Sequence, residues 1–404
     1  MKGYLRTGKK EECLGCEACV QACHRQALTM VEDEEGFRYP KLDVSLCVFC
    51  GACNLACPIE HIPEKFQEEQ TAFGGYLKDE KLKEDSTSGG AFSAIVEAWC
   101  DTDYVIFGVE ADRLEVRHTY ITDKKELDKY RKSKYAQSHI GNSYKEVRRF
   151  LREGKKVLFS GTPCHIAGLR SFLRRTDTSR LLTVEVVCEG VPSPHYVRKY
   201  DAWMKETYGS AIASLDYRYK DGRKWDFQVM HTVLDNRRSF IKDRWFNPFW
   251  SVWLQHLMSR PSCYHCPFAT SQRGADITLG DLWGVHLYCP ELYGRNGGAS
   301  LVVCNTDKGR DVLNRARSLL YGHDLPFASA LRYQSPLRKT IGGNPRREEC
   351  IADLRDPAMN YKQICEKWAV KPSFKLLWQK YVWGNRQKVF FWNLKHYFQK
   401  DSKC

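Results

Sequence analysis

The chain has 404 residues, 43% hydrophobic, 28% charged and 13% aromatic, with 18 cysteines and a formal net charge of +14. This length accommodates two or three domains with separate cores, and the composition excludes both a single small module and an extensively disordered chain. The positive balance points to an acidic protein, an anionic cofactor, a membrane surface or nucleic acid; no helix-turn-helix or finger spacing supports the last, which is set aside.

The opening "MKGYLRTGKKEEC" lacks the apolar stretch of a secretory signal, and no run approaches the roughly 20 apolar residues of a membrane span. The expected location is therefore cytoplasmic, where cysteines in such number indicate metal chemistry before disulfides. "CLGCEACVQAC" places Cys13, Cys16, Cys19 and Cys23 at CxxCxxCxxxC spacing, and "CVFCGACNLACP" repeats it with Cys47, Cys50, Cys53 and Cys57. This is the two-cluster ferredoxin run, in which the fourth cysteine of each run serves the other cluster. One [4Fe-4S] cubane is then held by Cys13, Cys16, Cys19 and Cys57, the second by Cys47, Cys50, Cys53 and Cys23. Zinc fits poorly, because zinc modules separate paired CxxC units by longer spans. Residues 27 to 47 read as two strands joined by a turn at Glu35 and Gly36, giving a ferredoxin-like α+β domain over 1–65. The charged stretch 66–85 reads as a linker.

"STSGGAFSAIVEAWC" leads from small polar residues into a helix. Its loop either receives an anion at the helix N-terminus or is simply capped by Ser88. "KKVLFSGTPCHIAGLRSFLRR" predicts a strand near 156–160, a tight turn and a helix with Ile166, Leu169 and Leu173 on one face; "LLTVEVVC" predicts the next strand. A β-α-β unit makes the two strands parallel. Cys164 and Cys188 then converge at one sheet edge, the edge at which open α/β sheets bind ligands. Cys263 and Cys266 in "SCYHCPF" form half of a four-thiolate site whose other half is expected to be Cys164 and Cys188. Ordinary buried cysteines are the alternative for these two, and Cys164 beside His165 as a nucleophile lacks an identifiable orienting third group. "RGADITLGDLWG" follows as a strand of alternating polar residues, either lining a pocket or forming a solvated edge. Cys100, Cys289, Cys304, Cys350 and Cys365 have no partner at ligand spacing and are assigned to packing. The basic, aromatic tail from Lys371 repeats Leu376, Leu377, Tyr381, Phe390, Phe391, Leu394 and Phe398 near helical spacing. It reads as a helical hairpin packed on the core, with peripheral contact to an anionic membrane as the alternative. Cys404 ends the chain without prenylation spacing.

The motifs "STSGGAFS", "KYAQS", "SGTPCHIAGL", "CEGVPSP", "CYHCPF" and "RGADITLGDLWG", in that order, resemble the beta-subunit family of coenzyme F420 hydrogenases and dehydrogenases. The resemblance runs from about 80 to 335 and implies a flavin-binding α/β core over 86–335, with FAD and a third [4Fe-4S] cluster on Cys164, Cys188, Cys263 and Cys266. For the flavin it implies Thr87, Ser88, Gly89, Gly90, Lys134, Gln137, Ser138, Thr162, Asp276, Thr278 and Asp281. The fold expected is thus an α/β core with a ferredoxin-like α+β N-terminal domain and a basic aromatic helical tail over 336–404. The expected function is an iron–sulfur flavoprotein oxidoreductase moving electrons between a carrier, an acidic ferredoxin or a deazaflavin, and a two-electron acceptor. The alternative is a non-catalytic electron-transfer subunit serving a partner oxidoreductase.

Overall fold

The computed structural model describes residues 2–222, 225–293 and 298–383, together with Phe390, Phe391 and Leu394. In the N-terminal unit, β1 (Leu28–Glu32) and β2 (Arg38–Leu42) pair antiparallel. Asp33 closes the turn between them by accepting from the Glu35 and Phe37 N–H groups at 3.0 and 2.9 Å, and Gly36 supplies the positive φ that such a turn needs. Two short helices, Ala18–Ala22 and Ala52–Leu55, carry the ends of the cysteine runs and pack on each other.

The remaining strands follow in chain order. They are β3 (Thr71–Leu77), β4 (Tyr104–Asp112), β5 (Glu115–Ile121), β6 (Lys156–Gly161), β7 (Leu181–Val186), β8 (Ile212–Asp216), β9 (Met230–Leu234), β10 (Ser239–Lys242), β11 (Ile277–Asp281), β12 (Ser300–Cys304) and β13 (Leu320–Leu325). Eight of them form one mixed sheet in the order β13-β3-β12-β11-β7-β6-β4-β5, parallel from β11 to β4 and antiparallel on both flanks. The expected parallel pairing of β6 with β7 is present, with Leu158 opposite Leu182. The parallel strands are apolar on both faces, as "KVLFSG" and "LLTVEV" are, because helices cover both sides. Helices Ala91–Trp99 and Asp307–Ala316 pack on one face around Ile95, Ile106 and Val312; Ser143–Arg152 and Pro163–Leu173 pack on the other around Phe107, Phe159 and Leu169.

That second core also contains Leu14, Cys16, Ala18, Ala56 and Ile59, so the N-terminal unit shares a hydrophobic core with the sheet. Its polar groups complete the junction. Glu17 accepts from the Ile140 and Gly141 N–H groups, and Gln21 Oε1 from those of Tyr144 and Lys145, filling donors left free at the start of helix Ser143–Arg152.

Two segments differ from the sequence reading. The stretch 66–85 is no linker, since it contains β3, hydrogen-bonded between β13 and β12. Charged flanks hid a strand whose paired glycines weaken the usual pattern. A Cβ on Gly74 would lie 2.7 Å from Leu325 Cδ1, and one on Gly75 would lie 2.5 Å from the Tyr321 carbonyl oxygen, so close packing demands both glycines. The stretch 336–404 is no separate tail over its first part. Helices Arg347–Arg355 and Tyr361–Trp368 share a core with Pro194–Tyr208, Pro248–Trp253 and the three-stranded sheet β10-β9-β8, built on Tyr196, Met204, Trp250 and Ile364. Farther on, Tyr381 packs against Phe227 and Phe246, while Phe374 is 80% exposed. Of the described residues in the tail from Lys371, Tyr381 thus packs on the core while Phe374, Phe390 and Phe391 are exposed. Phe398 and Cys404 lie outside the described residues. No helix among the described residues is long and apolar enough to cross a membrane.

Candidate functional site

The carboxyl ends of β4, β6, β7 and β11 open into a cleft of about 830 Å³, within the size range of cofactor sites. Cys164 stands in the first turn of the helix that leaves β6, with Pro163 at a position that needs no hydrogen bond. Cys188 follows β7 by two residues. Cys263 and Cys266 arrive from a distant segment, held there because Pro192 bridges Ser259 and the Arg260 N–H donates to the Val191 carbonyl at 2.9 Å. Gly190 makes room, since a Cβ there would lie 3.0 Å from Ile341 and 3.4 Å from Cys263. All four thiols line the cleft and feel one another electrostatically.

The N-terminal cysteines gather crosswise. Cys13, Cys16, Cys19 and Cys57 line one cavity, and Cys53 lies within electrostatic reach of both Cys23 and Cys50. Burial raises the Cys164 thiol to about 11 and Cys263 to about 12, and pushes Cys16, Cys19 and Cys188 well up, with neighbouring thiols adding to it. Thiolates therefore persist there only with a cationic core to compensate them. Four thiolates on one zinc ion lie about 3.8 Å apart at a Zn–S distance of about 2.3 Å. Among the described residues no three of these sulfurs fall within 4.8 Å of one another.

The inner N-terminal group is close to the cleft. A Cβ on Gly168, one helical turn beyond Cys164, would lie 3.0 Å from both Cβ and Sγ of Cys16. Arg260 locks the junction. Fully buried, it donates to the carbonyls of Cys13 (2.9 Å) and Arg38 (3.0 Å), to Gln137 Oε1 (3.0 Å) and to Cys13 Sγ (3.5 Å), and it stacks 4.3 Å above Tyr39.

Of the residues singled out for the flavin, Thr87, Ser88, Gly90, Lys134, Gln137, Ser138, Thr162 and Asp281 line the cleft. Gly89, Asp276 and Thr278 do not. A Cβ on Gly89 would lie 2.4 Å from the Gly75 carbonyl oxygen, so it serves backbone packing. Asp276 is buried beneath the sheet edge, accepting from Thr183 N and Oγ1 (2.8 and 2.7 Å) and Thr306 Oγ1 (2.9 Å), and Thr278 donates to Glu185 at 2.8 Å. The alternating polar strand thus bonds inward. Ser88 does not cap the helix: its hydroxyl donates to the Ala299 carbonyl at 2.6 Å, Gly90 takes the N-cap position at φ +83°, and the Ala91 N–H donates to Ser300 Oγ at 3.4 Å. Gln137 Nε2 donates to the Leu14 carbonyl at 2.9 Å, Ser138 bonds His118 at 2.8 Å and Thr162 meets Cys164 Sγ at 3.1 Å. Neither nitrogen of buried His165 has a hydrogen-bond partner, so no Cys164–His165 nucleophile pair is assembled.

The sequence reading missed the cleft's charge. Arg131, Lys132, Lys134, Arg218, Arg244, Arg260, Arg273 and Lys339 line it against two carboxylates, Glu189 and Asp281. Burial holds Lys134 down to about 8 although its ammonium donates to two carbonyls. Burial also opposes the Arg218 charge, yet Asp281, 2.7 Å away, more than restores it; Trp225 and Trp283 flank the guanidinium at 5.8 and 5.9 Å. Isolated basic residues spread over two hundred positions carry no spacing signal, and only the fold gathers them.

Residues 154–321 match the family model that describes the C terminus of the coenzyme F420 hydrogenase/dehydrogenase beta subunit, and residues 12–60 match that of the 4Fe-4S dicluster domain. Among solved structures, one that matches is a chain of the xenon-derivatised F420-reducing [NiFe] hydrogenase complex from Methanosarcina barkeri. It is 14% identical, and the match covers 75% of this chain and 91% of that chain with a TM-score of 0.44. No curated protein matches.

Proposed function

We propose that this chain, which joins a 4Fe-4S dicluster domain to a domain of the coenzyme F420 hydrogenase/dehydrogenase beta-subunit family, is an iron–sulfur flavoprotein oxidoreductase with three [4Fe-4S] clusters and FAD. The observation that carries the reading is the convergence of Cys164, Cys188, Cys263 and Cys266 on a cationic cleft, with Cys16 packed on the Cys164 helix. When bound, the clusters pass one electron at a time and the flavin supplies two-electron hydride chemistry.

The chain's own residues do the rest. Arg131, Lys132 and the start of helix Ala91–Trp99, beside Thr87 and Gly90, would hold the phosphates of the cofactor, because N–H groups at a helix start and fixed cations both favour anions. Lys134, Gln137, Thr162 and the Arg218–Asp281 pair would fix the remainder of it between the walls. The apolar contact of Cys16 with Gly168 keeps the inner and core cysteine groups adjacent and dry. An acidic ferredoxin or a deazaflavin carrier then exchanges electrons with the basic protein, and a two-electron acceptor occupies the cleft.

A second reading, a non-catalytic electron-transfer subunit, draws on the exposed Val44, Val48 and Phe49 beside the outer cysteine group, of which Phe49 is 77% exposed. The chain purified alone without oxygen separates the two. Stoichiometric FAD that bleaches with reduced ferredoxin or reduced deazaflavin, followed by turnover of an added two-electron acceptor, supports the enzyme. Clusters with no flavin and no turnover support the relay.

A further inference from the structure

We propose that Cys289, Glu291 and His323 form a site for a divalent transition-metal ion of the zinc class, separate from the three cysteine groups. Cys289 closes the short helix Val285–Tyr288, Glu291 lies in the following turn Pro290–Leu292, and His323 comes from the edge strand β13. Their ligand atoms form a near-equilateral triangle: Sγ to Glu291 Oε1 is 3.3 Å, Sγ to His323 Nε2 is 3.1 Å, and Nε2 to Oε1 is 3.2 Å. Among the described residues no other three such atoms converge so closely.

A tetrahedral zinc ion with a sulfur at about 2.3 Å and nitrogen and oxygen at about 2.1 Å has ligand-to-ligand edges of about 3.4–3.6 Å. The triangle therefore needs to open by only a few tenths of an ångström. Hydrogen bonding alone leaves it incomplete, because one thiol proton and one imidazole proton at Nε2 serve at most two of its three edges. A central cation serves all three. The donor set of one thiolate, one imidazole and one carboxylate selects zinc over the oxygen-seeking magnesium and calcium ions. Binding releases the thiol proton to solvent, and the sulfur becomes the anionic ligand.

The framework holds two corners. The Cys289 N–H donates to the Val285 carbonyl at 2.7 Å, and His323 is in register with Gly74 of β3. Cys289 is 1% exposed, whereas the His323 and Glu291 side chains are 46% and 52% exposed, so the sulfur forms the floor and a fourth position faces water. The ion clips the outermost strand to a segment 34 positions earlier.

The test uses the cluster-loaded protein, isolated without oxygen and equilibrated with buffered free zinc at micromolar level. Metal analysis is expected to return one zinc per chain beside the iron, and X-ray absorption at the zinc edge is expected to show one sulfur among nitrogen and oxygen neighbours. His323→Ala and Glu291→Gln, both at half-exposed positions, are expected to weaken zinc binding by at least about 10-fold, the scale of losing even an outer-shell partner, with iron content unchanged. Cys289→Ser serves as the third variant, with its iron content as the folding control. Absence of zinc, a zinc edge with four sulfurs, or undiminished zinc in the His323 and Glu291 variants overturns the assignment.

Discussion

Replacing Arg260 by Met tests whether the N-terminal unit and the α/β core form one electrical unit. The guanidinium is 1% exposed and lies 3.5 Å from Cys13 Sγ, so solvent screens it little. With its charge about 6 Å from the centre of a cluster on Cys13, and an effective dielectric of about 20, the interaction is about 3 kcal/mol, or roughly 120 mV for one electron. Removing a positive charge makes reduction harder, so the potential of the inner N-terminal cluster falls by about 100 mV. A cluster held by Cys164, Cys188, Cys263 and Cys266 would shift less and in the same direction, because Arg260 also acts on Cys164 and Cys263. The outer group on Cys47, Cys50, Cys53 and Cys23 does not move. The variant also strands the Cys13 and Arg38 carbonyls and Gln137 Oε1, at about 1–3 kcal/mol each, offset in part by no longer burying a cation. A net loss of about 3 kcal/mol is expected. A redox titration followed by electron paramagnetic resonance, with calorimetry beside it, reads both effects. Unchanged cluster potentials refute the coupling.

Two further predictions concern side chains that the fold takes away from the cleft or buries beside it. Asp276→Asn leaves one acceptor oxygen where Thr183 and Thr306 offer three hydrogen-bond donors, so it is expected to cost about 1–3 kcal/mol in Tm-derived stability; an unchanged melting temperature contradicts the structural role. Burial pushes His118 down to about 4, against about 6.5 in an unfolded chain. The unfolded state therefore binds a proton that the native state refuses, and stability falls as pH drops through 6.5 towards 4, by about 1.4 kcal/mol between about pH 8 and pH 5.5. In His118→Gln, whose amide can replace the bond to the Ser160 carbonyl, that part of the pH dependence disappears; an identical melting profile in both proteins sinks the argument.

The features legible in the sequence are those whose signal is local. The eight N-terminal cysteines announce themselves by spacing within two short runs, and the parallel β6-β7 pair follows from an apolar strand, a proline-started helix and a second apolar strand. From that pair the meeting of Cys164 with Cys188 is a geometric consequence. The CxxC spacing of Cys263 and Cys266 calls for a second pair, which the shared sheet edge supplies as Cys164 and Cys188; the contact between Val191 and Arg260 that brings the two halves together is encoded by no pattern. The polar strand at Asp276 and Thr278 was ambiguous because a residue bonding inward to Thr183 or Glu185 has the same alternation as one lining a pocket. β3 was lost between charged flanks because Gly74 and Gly75 weaken its strand signal. Cys289 looked like packing because its neighbour His323 is 34 positions away and is brought alongside only when β13 joins the sheet edge.

The iron and sulfide content of protein purified without oxygen, wild type against Cys164→Ala, tests the three-cluster reading most directly. Three cubanes predict about twelve iron and twelve sulfide per chain, falling to about eight of each in the variant while the N-terminal pair keeps its spectrum. Negligible iron in the wild type, or an undiminished count in Cys164→Ala, contradicts it.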